Sequence, residues 1–145
     1  MSDDNTFTLK KMFTLENLIA NHRERFELRY SNDDDFKSLC TNKTADSVKA
    51  EIREWRFITM LDHHLADSTV CFLTGIKAQH TMTMTSSVVA YNANNRFVFT
   101  QTGSVYYLDG DQEDIPLSVP RIISIAATFN LWGVGQTLGM PAAFF

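Results

Sequence analysis

The side chains with the most obvious chemical potential are two adjacent histidines. His63 and His64 are flanked by Asp62 and Asp67, and histidines near carboxylates occur in metal sites and as general bases. Consecutive side chains on a strand point to opposite faces, so the two rings could bind one ion together only where the backbone turns. The sequence therefore favours solvated histidines in a turn, and it predicts neither a metal ion nor any other cofactor.

A second cluster consists of the carboxylates Asp109, Asp111, Glu113 and Asp114. Their density is that of a calcium-binding loop. The glycine at position six and the glutamate at position twelve of an EF-hand are absent, and no helix is predicted before the loop. A solvated acidic turn is the interpretation that the sequence favours.

Nucleophilic catalysis has no recognisable motif in this chain. Cys40 and Cys71 have no basic neighbour that would activate a thiol, so we expect both to be small buried side chains. The sequence contains no Gly-x-Ser-x-Gly, no Walker motif and no Gly-x-Gly-x-x-Gly. No catalytic residue is predicted. The two cysteines and a polar, acidic start favour a cytoplasmic protein with reduced thiols.

Aromatic side chains are the remaining candidates for binding. Five of them fall in β-prone segments and could line a ligand cavity: Tyr91, Phe97, Phe99, Tyr106 and Tyr107. Stacking of nucleic-acid bases would need a basic surround, and only one arginine lies among them. Core and cross-strand packing is the favoured role, and a ligand cavity in the sheet is the alternative.

Charge is distributed unevenly over the elements that must position these residues. Residues 1–67 carry 10 basic and 13 acidic side chains, whereas residues 68–145 carry 3 and 4. No linker rich in Gly, Pro or Ser separates the two stretches, so we expect a single domain over residues 1–145. Its parts are a mostly helical charged part (1–53), a β part (54–109), an apolar helix (118–132) and an apolar tail (133–145).

Three helices are predicted in the charged part. Thr14 can cap a helix over about residues 15–30, and a short helical turn can start at Asn32 or Asp33. Thr44 can cap a third helix, in which apolar residues up to Trp55 recur at helical spacing.

The β part contains about five β-prone runs. The last two flank Thr102-Gly103, which is typical of a hairpin with a two-residue turn. The fold class is therefore α+β, with an antiparallel curled sheet or small barrel of about five strands, N-terminal helices and an apolar C-terminal helix. The predicted strands cover residues 55–61, 69–74, 82–91, 96–101 and 104–108, with turns at 62–67 and 92–95.

One stretch of the β part has a recognisable pattern. Thr85 to Val88 reads Thr-Ser-Ser-Val, and Val98 to Leu108 reads Val-Phe-Thr-Gln-Thr-Gly-Ser-Val-Tyr-Tyr-Leu. This pattern resembles that of small uncharacterised bacterial proteins, some of them encoded by integron gene cassettes or by phages. The resemblance covers about residues 54–109. It implies a small β unit and a mobile-gene context, and it carries no activity.

The C-terminal helix has the strongest apolar character. Ser118 can cap it and Pro120 suits its first turn, while Arg121, Ser124 and Thr128 form one narrow polar stripe. A helix and tail with this much apolar surface must be covered, either by the protein's own sheet or by a second copy of the chain. The candidate interface residues are Ile122, Ile123, Ile125, Phe129, Trp132, Phe144 and Phe145.

These observations favour some function classes and argue against others. A net charge of −4 argues against nucleic-acid binding, and no stretch of about 18 apolar residues predicts a membrane span. We expect a non-enzymatic interaction protein that forms a homodimer through the C-terminal helix and tail and whose acidic N-terminal face meets an unknown protein partner. The alternative is a small-molecule binding module with an aromatic-lined cavity.

Overall fold

In the part of the chain that the structure describes, the regular elements are six β-strands, two α-helices and three 3₁₀ turns. The computed structural model describes residues 14–18, 25–66, 68–112 and 115–132. The elements are β1 (Phe26–Tyr30), α1 (Asp33–Leu39), β2 (Ala50–Asp62), β3 (Ser68–Lys77), β4 (Thr81–Asn92), β5 (Phe97–Thr100), β6 (Val105–Leu108) and α2 (Val119–Leu131), with 3₁₀ turns at Leu15–Asn17, His63–Leu65 and Ala78–His80.

Strands β2 to β6 form a closed barrel, and β1 is an additional strand beside β2. Each strand lies next to its neighbour in sequence, and β6 returns to pair with β2. The α+β small-barrel prediction is confirmed. The closing pair is parallel, however, because successive antiparallel pairing of five strands gives the first and the fifth the same direction. Its register runs from Ala50↔Tyr106 to Ile52↔Leu108.

The barrel unit comprises Tyr30–Thr59 and Thr69–Asp114. Its core is built from the inward-facing side chains of β2 to β6, and Phe57 makes an edge contact with Trp55 at 5.6 Å between ring centroids. Gly75 on β3 is required by close packing, since a Cβ there would overlap the Ile52 Cγ2 methyl and lie 2.9 Å from the Arg53 carbonyl oxygen. The buried core residues are Ile52, Trp55, Phe57, Cys71, Leu73, Val88, Val98 and Leu108.

Helix α1 confirms the short helix predicted from Asn32 or Asp33. Asn32 Oδ1 accepts a hydrogen bond from the Asp35 amide at 3.1 Å, and Asp35 Oδ2 accepts one from the Asn32 amide at 2.8 Å. This reciprocal pair is a capping box, and the aspartates of the first turn suit the positive end of the helix dipole. Phe36 and Leu39 pack against the barrel core.

The other two helices predicted in the charged part are wrong over the described residues. Residues 15–17 form a 3₁₀ turn and Phe26–Tyr30 a strand, while residues 19–24 lie outside the described ranges. No helix follows Thr44, since Ala50–Asp62 is strand β2. Glu54 has a left-handed φ of 47° within this strand. It places Ile52 and Trp55 both in the core at a spacing of three, which imitates a helical period.

The second unit is drawn from Met1–Arg29, Met60–Ser68 and Ile115–Phe145. Its helix α2 begins as predicted, because the Ser118 hydroxyl accepts a hydrogen bond from the Arg121 amide and Pro120 lies in the first turn. In the earlier segments of this unit, Arg25 forms an ion pair with Asp62 at 3.5 Å.

Candidate functional site

A cleft with a volume of about 550 Å³ lies on the barrel unit. This volume is within the range of small-molecule sites. Three cations line it, Lys49, Arg53 and Lys77, and we call it the cationic cleft. Two carboxylates and two uncharged polar side chains complete its polar lining: Glu51, Asp109, Gln79 and Thr81.

Strand β2 supplies one wall by simple alternation. Ile52 is fully buried in the barrel core, so its neighbours Glu51 and Arg53 face outward. Lys49 lies two residues before Glu51, and its backbone amide donates a hydrogen bond to the Val105 carbonyl at 2.7 Å. This bond fixes the beginning of β2 against β6.

Closure of the barrel brings Asp109 to the same wall. Leu108 is the register partner of Ile52, and the Asp109 amide donates to the Ile52 carbonyl at 2.8 Å. Asp109 therefore sits beside Arg53 across the parallel pair. These residues are 56 positions apart in the chain, so only closure of the barrel makes them neighbours.

The connection between β3 and β4 forms the other wall. Lys77 and Thr81 are register partners at its base. Between them, Gln79 and His80 have φ values of 62° and 57°, a conformation that costs free energy in residues other than glycine. Arg53 Nη2 lies 2.9 Å from His80 Nδ1 and links this turn to β2. Two successive strained residues, held by a contact from the facing wall, indicate a turn whose shape is enforced by its surroundings.

The electrostatics of the cleft contrast with those of the chain. Three cations and two carboxylates give the lining a formal charge of +1, whereas the whole chain carries −4. The lysine and arginine side chains can donate charge-assisted hydrogen bonds to an anion. Gln79 can donate through its amide, and Thr81 through its hydroxyl.

A smaller cavity of about 230 Å³ lies between helix α1 and strands β3 and β4. Asp35 lines it, and Asp35 Oδ2 accepts a hydrogen bond from Thr59 Oγ1 at 3.0 Å. Thr59 Oγ1 is also 2.6 Å from Ser31 Oγ and 3.4 Å from Cys71 Sγ. Because these polar groups satisfy one another, the network is suited to anchoring helix α1 rather than to binding a ligand.

The five aromatic residues proposed to line a ligand cavity lie on two faces of the sheet. Tyr91 and Tyr106 pack against the barrel core. Burial raises the pKa of the Tyr91 hydroxyl, and the charge of Arg96 opposes this rise. The other three, Phe97, Phe99 and Tyr107, alternate with the buried Val98 and Leu108 on the outer face.

The histidine pair lies on the predicted turn. His63 Nε2 is 3.5 Å from a carboxylate oxygen of Glu27, and the His64 amide donates to Asp62 Oδ1 at 3.0 Å. Within the described ranges, no three side chains of His, Cys, Asp or Glu are placed to hold a metal ion.

The acidic loop is divided by the structure. Asp109 joins the cationic cleft, and Asp111 lies 3.8 Å from Arg96 Nη2. Glu113 and Asp114 lie outside the described residues. The two described carboxylates of this loop, Asp109 and Asp111, thus have different surroundings.

Three of the proposed interface residues are already buried within the chain, namely Ile122, Ile125 and Phe129. Ile123 is half-buried. Trp132 is 41% exposed, and its ring meets that of Phe129 at 5.8 Å between centroids.

At the C-terminal end of helix α2, apolar surface is exposed to solvent. Leu131 is 85% exposed and lies next to Trp132. The proposed interface residues Phe144 and Phe145 lie outside the described residues.

Comparison with known proteins gives no match: no family model, no curated protein and no solved structure is significantly similar to this chain. Neither α-helix of the described ranges has the length and apolar character needed to cross a bilayer.

Sequence reasoning missed the cations of the cleft. Lys49 and Arg53 lie in a stretch where basic and acidic residues are mixed, so neither stands out. Lys77 did offer a signal, because it is one of only three basic residues after position 67.

Proposed function

We propose that this protein is a small-molecule binding module and that its ligand is a small anion held in the cationic cleft. The observation that carries the proposal is the convergence of Lys49, Arg53 and Lys77 on one concavity in an acidic chain. A cleft of about 550 Å³ admits a small molecule rather than a folded protein surface.

Arg53 is the side chain best prepared to hold the anion. Its contact with His80 Nδ1 orients the guanidinium before a ligand arrives, which lowers the entropy lost on binding. Lys77 can donate from the facing strand. Glu51 and Asp109 would repel a ligand of high negative charge, and their oxygens can accept hydrogen bonds from ligand hydroxyl or amino groups.

The proposal is tested by titrating isotope-labelled protein with ribose 5-phosphate and following the amide resonances. We expect saturable shifts at Lys49, Arg53 and Lys77. Arg53→Gln removes a charged hydrogen bond worth about 1.5–3 kcal/mol, so binding should weaken about tenfold or more.

Lys37→Gln is the matched control, since it removes one exposed positive charge from helix α1, outside the cleft lining. Lys77→Gln tests the facing wall without breaking the Arg53–His80 contact. Absence of saturable shifts, or an equal loss of affinity in Lys37→Gln and Arg53→Gln, would overturn the proposal.

A homodimer is the second candidate, and exposed Leu131 and Trp132 favour it. Burying large apolar side chains contributes roughly 1.5–3 kcal/mol each, so a partner copy that covers them would be stabilised. Native mass spectrometry should then show a dimer that Leu131→Glu dissociates. Leu131 is the residue to change because, at 85% exposed, its substitution spares the fold. A wild-type chain that stays monomeric at micromolar concentration would contradict this candidate.

A further inference from the structure

The outer face of the barrel continues from the cationic cleft into a row of aromatic rings. Glu51, which lines the cleft, is the register partner of Tyr107, and Tyr107 is the register partner of Phe97. Register partners on neighbouring strands share a face of the sheet. Strand spacing of about 4.8 Å therefore places Phe97 about 10 Å from Glu51 along this face.

The burial pattern confirms which face these residues share. Ile52, Leu108 and Val98 are fully buried in the core and lie next in sequence to Glu51, Tyr107 and Phe97. Alternation along each strand then directs the second set outward.

Phe97, Phe99 and Tyr107 form what we call the aromatic strip. The ring of Phe97 lies 6.4 Å from the rings of both Phe99 and Tyr107, and all three residues are half-buried. Partly exposed aromatic rings in contact with one another offer a surface on which a planar group can stack.

Charges lie at both ends of the aromatic strip. Arg53 lies in the cleft beside Glu51, and Lys43 Nζ lies 5.7 Å from the centroid of the Phe99 ring. Glu51 lies two residues before Arg53 on β2 and pairs with Tyr107 on β6. Its carboxylate is an acceptor of the kind that binds sugar hydroxyls in nucleotide sites. Glu51 therefore adjoins both the cations of the cleft and the aromatic strip.

We infer that the ligand of the cationic cleft is a mononucleotide-like molecule, in which a sugar joins an anionic group to a planar ring. The anion lies on Arg53 and Lys77, the sugar hydroxyls donate to Glu51, and the ring stacks on Tyr107, which Phe97 supports through an edge contact at an interplanar angle of 68°. This inference rests on the proposed anion site and adds the aromatic strip as the determinant of specificity.

The test compares AMP, ribose 5-phosphate and adenosine by calorimetric titration of the wild-type protein. AMP and ribose 5-phosphate share the phosphate and the sugar, so their difference reports the ring alone. We expect AMP to bind about tenfold more tightly than ribose 5-phosphate, as stacking of one base allows, and adenosine to bind more weakly than AMP.

Tyr107→Val should reduce the affinity for AMP to that for ribose 5-phosphate and leave ribose 5-phosphate unchanged. Phe97→Leu provides a second variant of the strip if Tyr107→Val does not fold. Tyr30→Val is the control, because it removes a half-buried aromatic ring from β1, outside the aromatic strip.

The outcomes separate the two proposals. If ribose 5-phosphate binds and AMP binds no more tightly, the aromatic-strip inference is wrong and the anion site stands. If Tyr107→Val weakens both ligands equally, the residue acts on the fold and the inference is also wrong. If neither phosphate compound binds, both proposals fail.

Discussion

Gly75→Ala should destabilise the barrel more than the same substitution at Gly103 or Gly110, the other two glycines that the structure describes. The new Cβ would overlap the Cγ2 methyl of Ile52, lie 2.9 Å from the Arg53 carbonyl oxygen and lie 3.3 Å from the Trp55 Cα. Two of these three atoms belong to the backbone, and the third is on a β-branched, fully buried side chain. None can move away without moving strand β2.

Overpacking a core lowers the free energy of unfolding by about 1–3 kcal/mol. Because no flexible neighbour can give way, we expect Gly75→Ala to lower it by about 3 kcal/mol. For a chain of 145 residues this lowers Tm by roughly 6–12 °C. Urea unfolding followed by tryptophan fluorescence measures the free energy of unfolding of each variant. The strand-to-strand spacing at Gly75 also sets the distance between Arg53 and Lys77, so ribose 5-phosphate should bind less tightly to the variant.

Gly103→Ala is the matched control. Gly103 has a left-handed φ of 88° and open space where a Cβ would lie, so alanine there costs only backbone strain of about 1–2 kcal/mol. A Gly75→Ala protein that is no less stable than Gly103→Ala would refute the overlap with strand β2. A third variant, Gly75→Ala with Ile52→Ala, should be more stable than the sum of the single effects predicts, because one overlap is removed.

Three further predictions concern stability. Thr59→Val removes the hydroxyl that donates to buried Asp35 and should cost about 1–3 kcal/mol in urea unfolding; an unchanged midpoint would contradict the anchoring role of this network. Ser118→Ala removes the cap of α2 and should cost about 1 kcal/mol by the same assay, whereas no loss would argue against the cap. Because burial raises the pKa of Tyr91 above its ordinary value near 10, the folded chain keeps a proton that the unfolded chain loses, and stability falls as pH rises past 10. Tyr91→Phe should reduce the loss of stability between pH 9 and pH 11, and an identical loss in both proteins would contradict this assignment.

Local sequence rules succeed here where the controlling interactions are also local. The hairpin at Thr102-Gly103 needs only a residue that tolerates positive φ between two β-prone runs, and Gly103 supplies it at 88°. The start of α2 is likewise predictable, because Ser118 and Pro120 act on the first turn that follows them. Both elements are found at the predicted place, but the two-residue turn is wrong: Phe99 pairs with Val105 and the Thr100 amide donates to the Ser104 carbonyl, so residues 101–103 form the connection.

Strand β2 shows how one residue can mislead a periodicity argument. The left-handed backbone at Glu54 changes the spacing of core residues from two to three, so Ile52 and Trp55 imitate one turn of a helix. Residues other than glycine rarely adopt this conformation, and nothing in the neighbouring sequence marks Glu54 as the exception. The error therefore comes from the assumption of regular alternation, not from the choice of core residues.

The cationic cleft could be predicted only in part. A meander of five strands that closes must make its first and last strands parallel, so the predicted barrel already implies that these two strands meet. The sequence placed Ile52 and Arg53 in a helix, however, and only the observed pairing of Ile52 with Leu108 brings Arg53 next to Asp109. The register of the closing pair, and the left-handed turn that aligns Lys77 with them, depend on contacts between distant segments. The specificity of such a site thus depends on the geometry of barrel closure, which is why testing Gly75, a residue outside the cleft lining, also tests the proposed binding site.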